Sequence, residues 1–165
     1  MPFVQLARVT LISLVLLGPV EVLAQTPLHK APPDHSNPCA GVGDDTEALA
    51  ECGMEAARKQ NYDGARNAWS AAAERGDYVA AIWLGGTYDA VGGEKNYVLA
   101  YKWYEIAAAV HGEQIDKLPP GSDVSNQREI NYREEAAKHL APDQIAVALN
   151  MAREWLIATA RKRAR

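Results

Sequence analysis

The chain has few of the residue patterns that carry catalysis. It contains no Gly-x-Ser-x-Gly and no Ser-x-x-Lys, so neither common arrangement of an activated serine is present. Ser70 lies among alanines, and Ser122 and Ser125 follow the helix-breaking Pro119-Pro120-Gly121. Gly85-Gly86 and Gly92-Gly93 lack the spacing and the lysine of a phosphate loop. Only two cysteines occur, without a Cys-x-x-Cys, and His29 and His35 do not have the spacing of a ligand set. No metal or other cofactor is therefore expected. Glu134 and Glu135 are adjacent, which on a helix would turn them about 100° apart, so they read as a solvated face and not as an acid/base pair.

Charge and hydropathy exclude further classes. The net charge is −4, which disfavours nucleic acid as a partner, because phosphate binding needs a concentrated basic face. The one basic cluster, Arg161-Lys162-Arg163 with Arg165, is expected to be a solvated tail over 161–165. The longest apolar run, Val9 to Val20, falls short of the about 20 residues that cross a bilayer. Arg8 precedes it and Val22-Leu23-Ala24 follows it, so 1–24 reads as a secretory signal peptide cleaved after Ala24. No cysteine follows at once to take a lipid. The expected product is secreted, or periplasmic in a Gram-negative source, with no stable membrane insertion after cleavage.

Export would place Cys39 and Cys52 in an oxidising compartment, where a disulfide is the natural outcome. Closing a loop of that size would contribute about 3 kcal/mol and tie the segment before it to the first helix. That segment, 25–43, is rich in Pro, His, Asp and Ser and reads as a flexible linker.

What the chain does have is alanine and large aromatics at helical spacing, twice over. Tyr62, Ala65, Trp69, Ala72 and Ala73 recur about 35 residues later as Tyr97, Ala100, Tyr104, Ala107 and Ala108. Within each copy these residues line one helix face. Small residues let two helix axes approach, and a ring one turn away fills the wedge that remains. Gly76 and Gly112 follow the two copies and are expected to end their helices. Between the copies, Ala81, Leu84, Gly85 and Tyr88 form the stripe of a partner helix, and Gly85 predicts a backbone crossing that admits no Cβ. A repeat of this period predicts an all-α solenoid of short antiparallel helix pairs, with a curved surface suited to binding.

These residues resemble the Sel-one-like repeats, relatives of the tetratricopeptide repeat. The family pattern is matched by Ala81, Leu84, Gly85, Tyr88, Gly92, Gly93, Ala100, Trp103, Tyr104, Ala107, Ala108 and Gly112. A weaker copy precedes it, and the segment from Ala136 to Leu156 is similar to the closing part of bacterial members, so the resemblance covers about 46–158. It implies a repeat domain over 44–160, with repeats near 46–76 and 78–112 and a C-terminal cap over 123–160. It also implies an exported adaptor or regulatory module that holds a protein or peptide in a helical groove without catalysis. The rival, taken from cysteine-rich members, is a cell-wall or β-lactam hydrolase; those carry a cysteine pair in each repeat, and this chain has one pair.

Further elements follow from local signals. Asp44 and Glu47 have the spacing of a capping box, so a first helix should start near Asp45 and end around Asn61. Ile130, Ala137 and Leu140 suggest a modest helix. Pro142 should open a last one, with Ile145, Ala148, Leu149, Ala152 and Leu156 on its apolar stripe, acting as the C-terminal cap. His111 is expected at a helix C-terminus, where a cation suits the dipole. For partner binding the candidates are Trp83, beside the apolar stripe, and more weakly Thr87 and Tyr101. Packing of Trp83 against the preceding repeat is the alternative reading of that residue.

Overall fold

A computed structural model describes residues 38–39, 41–89 and 95–165. The expected signal peptide over 1–24, the linker up to residue 37 and the loop glycines Gly92 and Gly93 lie outside the described residues. Within the described residues the chain forms six helices and no strand: α1 (Thr46–Arg58), α2 (Tyr62–Glu74), α3 (Tyr78–Asp89), α4 (Tyr97–Ile115), α5 (Gln127–Ala137) and α6 (Pro142–Arg163). The main packing pairs are α1 with α2, α2 with α3, α3 with α4, and α4 with both α5 and α6.

Short polar side chains start the helices. The Asp45 carboxylate accepts from Glu47 N and Ala48 N, both at 3.0 Å, and satisfies two N–H groups that the first turn cannot. Asn61 does the same for Gly64 N at 2.9 Å, Asp77 for Val79 N at 2.8 Å and Asn96 for Leu99 N at 3.1 Å. The expected capping box at Asp44 does not form: Asp45 is the N-cap, the residue three on is Ala48, and Asp44 pairs with Arg75. At α6, Pro142 sits in the first turn and Ala141 N donates to Gln144 Oε1 at 2.9 Å.

The ends differ more from expectation. Gly76 terminates α2 with φ of 99°, a backbone that only glycine adopts freely. Gly112 does not terminate α4, which continues to Ile115. The added turn places Gln114 where its side-chain amide donates to Gly76 O at 2.9 Å, joining the ends of α2 and α4. The basic segment expected to be a solvated tail is, as far as Arg163, the last turn of α6. Arg163 donates to Glu74 O at 2.8 Å and Ala73 O at 3.2 Å, and Lys162 meets the Glu74 carboxylate at 3.1 Å. Two cations thus supply partners and charge to the carbonyl end of α2, whose last C=O groups have no intrahelical donor.

The buried face is the one the repeat marked. Trp69, Ala72 and Ala73 of α2 meet Ala80, Ala81 and Leu84 of α3 and Trp103, Ile106, Ala107 and Val110 of α4, with Ala152 of α6 closing against them. A second cluster joins Ala100, Tyr101 and Tyr104 to Ala136 of α5 and Ala148 of α6. Two glycines make these approaches possible. An ideal Cβ on Gly85 would lie 2.4 Å from the Tyr104 ring, and one on Gly53 would lie 2.4 Å from Trp69 Nε1. At Gly85 the space a Cβ would need is filled by the Tyr104 ring, and not by the backbone crossing that the sequence suggested. Cys39 and Cys52 form a disulfide that fastens the chain ahead of α1 to that helix.

Candidate functional site

Burying so much alanine against so few aromatics leaves the rings unequally covered, with Trp83 and Tyr132 each 43% exposed. Trp69 is held from two sides: its Nε1–H donates to Ala50 O at 3.1 Å, and its face lies on Gly53. Trp83, one helix on, stacks over it with ring centroids 5.9 Å apart and planes at 21°. Trp83 nevertheless remains 43% exposed. Trp83 thus packs on the preceding helix, as the alternative reading had it, and still shows a large apolar surface to water.

Trp83 forms one side of a cleft of about 360 Å³ between α1, α2 and α3. Met54 and Arg58 line it from α1, Tyr62 and Trp69 from α2, and Gly86 from α3. Its volume and apolar lining are those of a ligand cleft, where a few polar groups fix orientation. Among the described residues, Arg58 is the only charged one that lines it. Thr87 also lies in its wall but is 6% exposed, and its hydroxyl donates to Leu84 O at 2.8 Å within the helix. Tyr101 lies elsewhere, in the second cluster, 8% exposed, with burial raising its hydroxyl pKa. The structure thus brings Trp83 and Thr87 together, and it gives Tyr101 a place in the core.

Four residues of this cleft escaped the sequence reading. Met54, Ala57 and Arg58 belong to the divergent first helix, where no repeat pattern marked them, whereas Tyr62, at the start of α2, was marked by the repeat as a packing residue and not as a site. Gly86 carried a signal, as the second of two adjacent glycines. A Cβ on Gly86 would meet nothing within 4 Å, in contrast to its neighbour Gly85. One glycine admits a ring from α4, and the other leaves the cleft floor low.

A search of family models, of curated proteins and of solved structures finds no match to the chain.

A second depression, about 630 Å³, lies beside the disulfide and shares Met54 and Arg58 with the first. Glu51 and Glu55 make its other side acidic. Glu55 carries two cations, Arg58 at 3.3 Å and Lys59 at 3.2 Å, and hydrogen bonds from both hold its carboxyl below the usual range.

The most deeply buried polar pair is away from both depressions. His111 does not sit at the end of its helix, as the sequence suggested, but inside α4. Its Nδ1 is 3.3 Å from Glu129 Oε2 of α5, and its ring stacks on Tyr78 of α3 with centroids 3.8 Å apart. Neither of the two facing atoms has a hydrogen-bond partner among the described residues. Arg128 donates to the other carboxylate oxygen at 3.1 Å. With Glu129 fully buried and His111 9% exposed, the pair lies between α4 and α5. Among the described residues, no group of three or more His, Cys, Asp and Glu is placed to hold a metal ion, and no helix is long and apolar enough to cross a membrane.

Proposed function

We infer that this chain is an exported helical-repeat module that binds a protein or peptide, with the Trp83 cleft as the contact. The observation that carries this reading is an aromatic ring 43% exposed and yet backed by a second, pinned tryptophan. Such a ring offers contact area at low entropic cost, because its orientation is already set by the stack. The Sel-one-like pattern in the sequence supports the repeat character, in which helix pairs stack as a solenoid with the disulfide segment at one end and α6 at the other. The disulfide supports passage through an oxidising compartment and therefore the signal peptide over 1–24.

Crosslinking in the native compartment tests this reading. The full chain should yield a discrete set of adducts, and Trp83→Ala should remove specific members of that set while the fold, read by circular dichroism, persists. An unchanged adduct pattern in Trp83→Ala would show that the cleft is not the contact. Hydrolysis of a chromogenic β-lactam, lost on changing one polar residue, would replace the adaptor reading with the hydrolase one.

A further inference from the structure

Granting that the Trp83 cleft is the contact, the charges around it select the class of partner. Arg58 stands where the apolar cleft meets the acidic depression, and it lines both. Its present partner, Glu55, is also held by Lys59. One carboxylate is thus shared by one guanidinium and one ammonium group, so Glu55 keeps a cation when Arg58 leaves it. All three side chains are more than half exposed, so the Arg58–Glu55 contact is worth little and is readily exchanged. Arg58 can turn to a new anion while Lys59 keeps Glu55 satisfied.

We propose that the occupant is a peptide segment carrying a bulky apolar side chain flanked by a single carboxylate, with the apolar group on Trp83 above Gly86 and the carboxylate on Arg58. The apolar half follows from the lining, since Arg58 is the one charge in it among the described residues. The single carboxylate follows from what lies beyond Arg58: Glu51 and Glu55 would repel a longer acidic tract. A segment with a cation in place of the carboxylate would set that cation against Arg58.

Binding is read by anisotropy of dye-labelled, terminally blocked peptides that share a Leu or Phe anchor and differ only in the flanking residue: Glu, Gln or Lys. The Glu peptides should bind about two- to fivefold more tightly than their Gln counterparts, the range of an exposed ion pair, and added salt should narrow the gap. Arg58→Glu should invert the order in favour of Lys. Gly86→Leu, which fills space that is open in the structure, should weaken every peptide at least about tenfold, the scale of a desolvated anchor losing its seat. Trp83→Ala provides the same readout should the leucine disturb the helix.

The outcomes separate the two levels of the argument. If Gly86→Leu and Trp83→Ala abolish binding, but Glu, Gln and Lys peptides bind alike and Arg58→Glu changes nothing, the cleft stands and the acidic selectivity is overturned. If no peptide binds, or binding ignores both cleft variants, the cleft itself is not the contact and the proposal falls with it.

Discussion

At the scale of the residue, adjacent glycines perform opposite tasks. Both lie in α3, where glycine costs helix stability of about 1 kcal/mol relative to alanine. Gly85 offsets that cost by letting the Tyr104 ring sit against its backbone, and Gly86 meets nothing. Gly85→Ala should therefore destabilise the protein by about 1–3 kcal/mol, the range for overpacking a close contact. Gly86→Ala should stabilise it by about 0.5–1 kcal/mol through helix propensity and a less flexible unfolded chain. Urea unfolding of the two single variants decides the matter, and shifts of the same sign would show that the contact at Gly85 is not tight. The paired Trp69 and Trp83 follow a similar logic of unequal neighbours. The inner ring has its N–H satisfied and its face covered, and it gives the outer ring a fixed platform.

At the scale of the element, the α3–α4 pair is held by the group that fills the Gly85 notch. Tyr104 Oη donates to Asp89 Oδ2 at 3.3 Å, joining the end of α3 to the middle of α4. Burial, with the Asp89 carboxylate beside it, pushes the phenol pKa well above its ordinary value. Above about pH 10 the unfolded chain releases this proton and the native chain keeps it, so the unfolded state binds fewer protons there. The contribution of Tyr104 is then fully present below that pH and is lost as pH rises. Tyr104→Phe should lose the alkaline fall in stability that belongs to this group, measured as a flatter slope of unfolding free energy from pH 9 to 11 in the variant than in the parent. Equal slopes would place the phenol in water. Lys102, whose pKa burial lowers, titrates in both proteins and cancels in the comparison.

The helices α2, α3 and α4 were legible in the sequence because alanine and aromatic spacing reports a buried helix face directly, and the caps Asn61, Asp77 and Asn96 agree with it locally. Helix ends were less legible. Whether Gly112 stops α4 depends on Gln114 finding Gly76 O across the molecule, and whether Arg163 frays depends on the carbonyls of Ala73 and Glu74, some 90 positions earlier. The His111–Glu129 pair was illegible for the same reason, since nothing in a local window tells a solvated histidine from one facing a carboxylate on the next helix. Of the candidate cleft, Trp83 and Thr87 could be found from the repeat. Met54, Ala57 and Arg58 could not, because the first helix has drifted from the pattern that marks its successors.

At the scale of the whole molecule, α1 to α4 pack in chain order, and α4 is the common support of α3, α5 and α6. A structure connected in this way opens from its least supported member, and its local stabilities need not be equal. Helix α1 packs chiefly on α2, and its hold is completed by the Cys39–Cys52 disulfide. Cross-linking this loop constrains the unfolded chain by about 3 kcal/mol, and the loop closes on the very helix that supplies Met54 and Arg58 to the cleft. Cys39→Ser with Cys52→Ser should therefore raise amide hydrogen exchange in α1 by about a hundredfold, equivalent to some 3 kcal/mol, while the centre of α4 changes much less. A peptide seated on Trp83 and Arg58 should slow exchange in α1 again, because binding favours the closed form in proportion to its occupancy. Equal acceleration in α1 and α4 would mean that the helices unfold as one cooperative unit and that the disulfide stabilises all of them together.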